Sequence, residues 1–301
     1  MRSTYAVAPT RISHYTSAVR NHAADYVNTT SAIELDDNRK PYGIAVSPDG
    51  TRVYVTTLFS GTVEVIDAAT DSVVTSVHVG GITTGVSVTP DGKSLYIGEG
   101  HGNVYAMNTS TFALTTVITS ANYPGKDVAV TPDGRYVYAL DNVFNEILVI
   151  RTSTRAIAAT IALDQAPQSI TIARSSGLAY VGTDSASKDP SGSVTVIDTA
   201  IHMVVDTITL ADGVRSVFLA ADESHVYAVT DISTDAIELT TNIVVKSTPL
   251  RMSPSTQSRM CPDGVAITPD GRYAYIANSS GSSAASVTRI HLSESRQTST
   301  L

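Results

Sequence analysis

The chain has no tryptophan, four phenylalanines and a single cysteine, Cys261, among 301 residues. A lone cysteine cannot close an internal disulfide, which suits a reducing compartment. With so few large aromatics, aliphatic side chains and the 14 tyrosines must fill the core. No run of about 18 apolar residues occurs, and the start MRSTYAVAPTRISHY carries no apolar h-region. The expectation is a soluble cytoplasmic protein without a membrane partner. Lys and Arg number 20 against 28 Asp and Glu, a net charge of −8, and no basic run is present. That balance argues against nucleic acid and against anionic lipid surfaces. There is no Walker loop, no G-x-G-x-x-G opening a helix, no H-E-x-x-H and no nucleophile elbow. No redox or nucleotide cofactor is therefore expected.

What is present is repetition. VSPDGTRVYVTT begins at Val46, VTPDGKSLYIGE at Val88, VTPDGRYVYALD at Val130 and ITPDGRYAYIAN at Ile267. Two further copies, around Tyr180 and Tyr227, keep the tyrosine and lose the PDG turn, and YAVAPTRISHY offers a seventh at Tyr15. The tyrosines 15, 54, 96, 138, 180, 227 and 275 are spaced by 39, 42, 42, 42, 47 and 48 residues. Each unit divides into four short strands of alternating β-branched residues; in the unit from Pro41 they are GIAVS, RVYVTT, TVEVID and SVVTSVHV. Proline presets φ in the PDG turn and glycine accepts a positive φ. Four strands in roughly 40–45 residues is the mark of a propeller blade, which cannot bury both faces except in a ring. The expected fold is all-β: one seven-bladed β-propeller domain over 1–301. Its blades fall at approximately 1–40, 41–80, 81–122, 123–164, 165–211, 212–260 and 261–301. The recurring tyrosine is expected to pack between blades.

The stretch PYGIAVSPDGTRVYVTTLFSGTVEVIDAATDSVV resembles the YVTN-type β-propeller repeat, with YVTT at Tyr54 to Thr57. The likeness covers most of 41–301. It implies the fold, and a mixed company of surface-layer, lactonase-like and streptogramin-lyase-like proteins, among which a fold does not choose.

Strand order assigns faces. First-to-second and third-to-fourth turns share one face of the disc; the other connections share the opposite face. The longer connections, 183–193, 249–262 and 278–286, all belong to the second set, where repeat proteins place binding residues. The position six residues before each proline equivalent enters the innermost strand at the channel mouth. It reads Ser3, Tyr42, Thr84, Lys126, Gln168, Arg215 and Asp263, while the next position repeats glycine at 43, 85 and 264. A varied polar rim on a repeated scaffold fits a ligand site. Tyr42, Thr84, Gln168, Arg215 and Asp263, with Phe59 and Phe144 on exposed loops, are the candidate substrate contacts. Arg215 and Asp263 also suit an ion pair with each other.

Glu99, His101, Lys126 and Asp141 are the candidate catalytic residues, because a carboxylate beside histidine or lysine tunes a general base toward neutral pH. A divalent cation on Glu99, His101, Asp141 and Asp184 is the less favoured reading of the same oxygens. Cys261 lacks a base or helix end to activate it. The functional expectation is a small-molecule enzyme using acid–base chemistry in the channel mouth: a lyase, an isomerase or cyclase, or a lactone hydrolase. The rival is a non-catalytic scaffold that binds a protein on the same face.

Overall fold

The Ser/Thr-Pro-Asp-Gly stretch folds identically at each of its four copies. Asp49 Oδ1 accepts the Ser47 hydroxyl at 2.6 Å and the Thr51 N–H at 3.0 Å. Asp91 does the same with Thr89 and Lys93, Asp133 with Thr131 and Arg135, and Asp270 with Thr268 and Arg272. Each hydroxyl oxygen in turn accepts the N–H that opens the next strand, from Arg52, Ser94, Tyr136 and Tyr273. These hydroxyl donors, helped by the backbone N–H groups, hold the carboxyls of Asp49, Asp91 and Asp270 below the usual value. Gly50, Gly92, Gly134 and Gly271 close the turns at φ between 67° and 73°, where a side chain would be strained.

The computed structural model describes residues 30–36, 39–119, 125–185, 191–249, 264–278 and 286–291. Strand β1 (Thr30–Glu34) comes first in the chain. Blade I then holds β2 (Pro41–Val46), β3 (Arg52–Thr57), β4 (Thr62–Asp67) and β5 (Ser72–His78). Blade II holds β6 (Thr83–Val88), β7 (Ser94–Glu99), β8 (Val104–Asn108) and β9 (Leu114–Ile118). In blade III are β10 (Gly125–Val130), β11 (Tyr136–Asp141), β12 (Glu146–Arg151) and β13 (Ala156–Ala162). Blade IV contains β14 (Ala166–Ile172), β15 (Leu178–Asp184), β16 (Gly192–Asp198) and β17 (Met203–Leu210). To blade V belong β18 (Val214–Leu219), β19 (His225–Thr230), β20 (Ser233–Glu238) and β21 (Ile243–Pro249). Blade VI is β22 (Val265–Ile267), β23 (Tyr273–Asn278) and β24 (Ser286–His291), with β1 as its outer strand. Every sheet is antiparallel and four-stranded, and the fold is an all-β propeller.

The repeated tyrosine explains why blades stand side by side. Tyr54 packs with Val86 and Leu95 of the next blade, Tyr96 with Val128 and Val137, and Tyr138 with Ile170 and Val181. Tyr180 packs with Val217 and Val226, Tyr227 with Ala274 and Ile276, and Tyr275 with Ile44 and Val53. Each is nearly or fully buried, and the expectation of an inter-blade residue is met at all six. The last contact, from blade VI to blade I, closes the ring. Third-to-fourth turns add a second tie. His202 Nδ1 meets the Tyr138 hydroxyl at 2.6 Å, and Asn242 accepts the Tyr180 hydroxyl at 3.2 Å; both turn residues sit at positive φ.

The sequence spacing gives seven units, whereas the described residues form six sheets. The difference lies in the first unit. Thr30–Glu34, assigned by spacing to a blade of its own, pairs with Ser286–Ile290 and is the fourth strand of the last described sheet. Arg289 fixes the junction through Asp71 of blade I at 2.7 Å, and Ser31 donates to the same carboxylate at 3.0 Å. The remainder of that first unit, Tyr15 and Ser3 included, lies outside the described residues.

Candidate functional site

The innermost strands share one irregularity. Their pairing with the second strand skips between Pro41 and Ile44, Thr83 and Val86, Gly125 and Val128, Pro167 and Ser169, and Val214 and Ser216. The skipped residues are Tyr42 and Gly43, Thr84 and Gly85, Lys126 and Asp127, Gln168, and Arg215. These include the varied rim positions of the sequence. A bulge leaves residues unpaired and re-aims side chains, so a repeated scaffold can present different groups there without changing its ladder.

Below the rim runs a central cavity of about 410 Å³, walled by the inner strands of the six described blades and ending at Pro48, Pro90, Pro132 and Pro269. Gly43, Gly264, Asp127 and Ser169 stand at one level of its wall. The glycines allow close approach of neighbouring strands. A Cβ on Gly43 would lie 2.6 Å from the Thr84 carbonyl oxygen, and one on Gly85 would lie 2.1 Å from Asp127 Oδ1.

Asp127 is the residue that the sequence reading passed over. It follows Lys126 and occupies the position that is glycine in blades I, II and VI. Its Oδ1 accepts the Val128 N–H at 2.9 Å; its Oδ2 accepts the Ile170 N–H at 3.1 Å and the Ser169 hydroxyl at 3.2 Å. It therefore bridges blades III and IV at the cavity wall. Burial pushes its carboxyl up to about 6, against these donors and the nearby Lys126 charge. The available signal was an acidic residue breaking a glycine repeat.

The four expected catalytic residues are not brought together. Glu99 is 2% exposed and accepts from the Ile82 N–H at 3.2 Å, from Asn103 Nδ2 at 2.8 Å and meets His101 Nδ1 at 2.5 Å. Burial raises its carboxyl, and the His101, Ile82 and Asn103 hydrogen bonds outweigh that and hold it low. Glu99 and His101 thus form a pair of their own on the loop after β7, with the His101 side chain 63% exposed. Asp141 turns back on its own loop, accepting the N–H groups of Val143 and Phe144 at 2.9 and 3.0 Å. Its geometry is that of a turn cap. Lys126 donates to Gln168 of the next blade, so one catalytic and one binding candidate do meet.

Arg215 is held by Asp184 at 2.5 Å and by Asp231 at 2.8 Å, a bridge from blade V to blade IV. Its expected partner Asp263 lies outside the described residues, as does Cys261. Tyr42 is half-buried and Thr84 buried on their bulges. Phe59 and Phe144 are 61% and 56% exposed, and the Lys40 ammonium stands 5.2 Å from the Phe59 ring. The oxygens weighed for a metal are dispersed among these separate roles. Among the described residues no group of three or more His, Cys, Asp or Glu is placed to hold an ion.

No family model matches the sequence. Among curated proteins the chain is similar to one named a seven-bladed β-propeller protein from Mycobacterium tuberculosis. They are 25% identical over an alignment covering 80% of this chain and 70% of the relative. Among solved structures, a chain of Kuenenia stuttgartiensis hydrazine synthase superposes with a TM-score of 0.72 at 19% identity, over 86% of this chain and 97% of that one. U3-55K gives 0.71 at 10% identity, covering 87% and 98%. The WD40 repeats of RRP9 give 0.70 at 10% identity, covering 88% and 97%. Proteins this different in sequence share the propeller fold with the chain, and the fold is what the comparison establishes.

Proposed function

We propose that the chain acts on a small molecule held in its central channel, using acid–base chemistry centred on Asp127. The observation that carries this reading is a carboxyl lodged in the channel wall, raised to about 6 by burial, where it exchanges a proton near neutral pH. Lys126 and Gln168, joined across the bulges of blades III and IV, orient the substrate at the rim. The exposed imidazole of His101, backed by buried Glu99, is the other proton-handling group on this face. The YVTN-type likeness names the reactions to try first: lactone hydrolysis, ring closure or isomerisation, and elimination. A cytoplasmic location is part of the same reading; among the described residues no helix is long and apolar enough to cross a membrane.

The test is a substrate panel covering those reactions, read by mass spectrometry, with wild type and Asp127→Asn run in parallel. A turnover that rises through pH 6 and disappears in Asp127→Asn is the expected result. Equal turnover in both proteins removes Asp127 from the chemistry. One observation favours a second reading, a protein-docking scaffold. Phe59, Val143, Phe144 and Ile232, on the second-to-third-strand loops of blades I, III and V, are each more than half exposed. Pull-down of a partner that Phe59→Ser and Phe144→Ser release, with no turnover on the panel, would favour the scaffold.

A further inference from the structure

The channel reading leaves the kind of ligand open, and the surroundings of Asp127 narrow it. Three donors converge on its two oxygens: the N–H groups of Val128 and Ile170 and the hydroxyl of Ser169. A carboxyl so surrounded is arranged as an acceptor, the form that carries negative charge. Among the described residues the opposite charge near it is that of Lys126, which makes no ion pair with the carboxyl. None of their ion pairs involves Asp127. Lys126, beside it on the same strand, donates to Gln168. Arg215 is held by two aspartates of its own. The other charged groups along the channel are Arg174 and Glu223 at the proline end, where Glu223 accepts the N–H groups of Arg174 and Ser175.

The rest of the wall at this level carries no charge, with Ser169 and Ser216 beside the glycines. Gly43 and Gly264 replace side chains there, and Ile44 and Val86 occupy the register position of Ile170. At that position the strand's free edge faces the channel, because the Ile170 N–H reaches across to Asp127 and not to β15. A carboxylate outside every described ion pair, in the wall of a cavity of about 410 Å³, fits one chemistry best. We propose that the channel takes a small ligand bearing a protonated amine, with Asp127 as its counter-ion. The inference rests on the channel reading above and specifies its ligand.

The ligand is unidentified, so three probes of one shape separate the possibilities: cyclohexylamine, cyclohexanol and cyclohexanecarboxylate. Each is titrated into wild type, Asp127→Asn and Asp127→Ser, with the melting midpoint and the heat of binding as readouts. Serine already fills this position at 169 and 216, so Asp127→Ser keeps the fold if asparagine does not. At pH 8 the amine should raise the midpoint of wild type and leave both variants unmoved, while the alcohol and the carboxylate do nothing. Below about pH 6 the amine should weaken about tenfold per pH unit as the carboxyl takes its proton. An amine effect that persists in both variants overturns the assignment. Binding of the carboxylate instead, lost on Lys126→Met, overturns the cationic ligand and leaves the channel site standing. No binding by any of the three removes this inference, while the panel with Asp127→Asn remains the separate judge of the channel reading.

Discussion

The two ends of the channel are built on opposite plans. At the proline end, one blade's proline lies against the next blade's turn glycine: Pro269 beside Gly50, Pro48 beside Gly92, Pro90 beside Gly134. Blades IV and V have lost the PDG turn, yet their contact survives through Glu223 and the N–H groups of Arg174 and Ser175. Different chemistry makes the same junction, which is how a structural position behaves. At the rim the reverse holds. One backbone solution, the bulge, recurs, and the side chain on it changes from tyrosine to threonine, lysine, glutamine and arginine. A repeated residue marks where blades must match, and a varied residue on a repeated backbone marks where they need not.

The largest expected effect comes from the blade interface. Tyr138→Ala removes a fully buried ring and should cost about 3–5 kcal/mol in urea unfolding. A loss below about 1 kcal/mol would mean that the ring does not depend on its tyrosines.

Asp127→Asn probes the rim with the opposite sign. The folded carboxyl binds its proton near pH 6 and the unfolded one near 3.8. Wild-type stability from this group is therefore complete below 3.8 and lost as pH rises through 6. The variant should therefore gain in stability relative to wild type as pH rises from 4 to 7. A gap of the same size at both pH values would show that no raised carboxyl exists.

At the proline end the linkage runs the other way. The carboxyl of Asp91 is held low, chiefly by the Thr89 hydroxyl, so its contribution is present above 3.8 and fades as pH falls below it. Asp91→Ala should cost about 1 kcal/mol at pH 7 and less at pH 3, followed by denaturant midpoint. Lys126→Met is the smallest change, expected within about 0.5 kcal/mol of wild type, because a rim side chain carries little of the packing. A marked loss of stability there would make the rim structural and dissolve the contrast between the two ends.

The repeat of PDG and tyrosine determined the propeller, its strands and the faces of its loops, because each blade repeats the same local hydrogen bonds and buries the same ring. It also located the rim, since six residues before the proline always enters the inner strand. Ring closure was decided elsewhere. Whether 30–34 founds a blade or completes one depends on pairing with 286–290, a contact between residues some 250 positions apart that no local pattern encodes. The site was divided in the same way. Glu99 falls on one blade and Lys126 and Asp141 on the next, but hydrogen bonds sent Glu99 to His101, Lys126 to Gln168 and Asp141 to its own loop. Asp127 shows the limit most clearly. Its identity is local, but burial raises its carboxyl against the donors of Ser169 and Ile170, and the close wall of Gly85 lies on the other neighbouring blade. Only the closed ring brings those three against it.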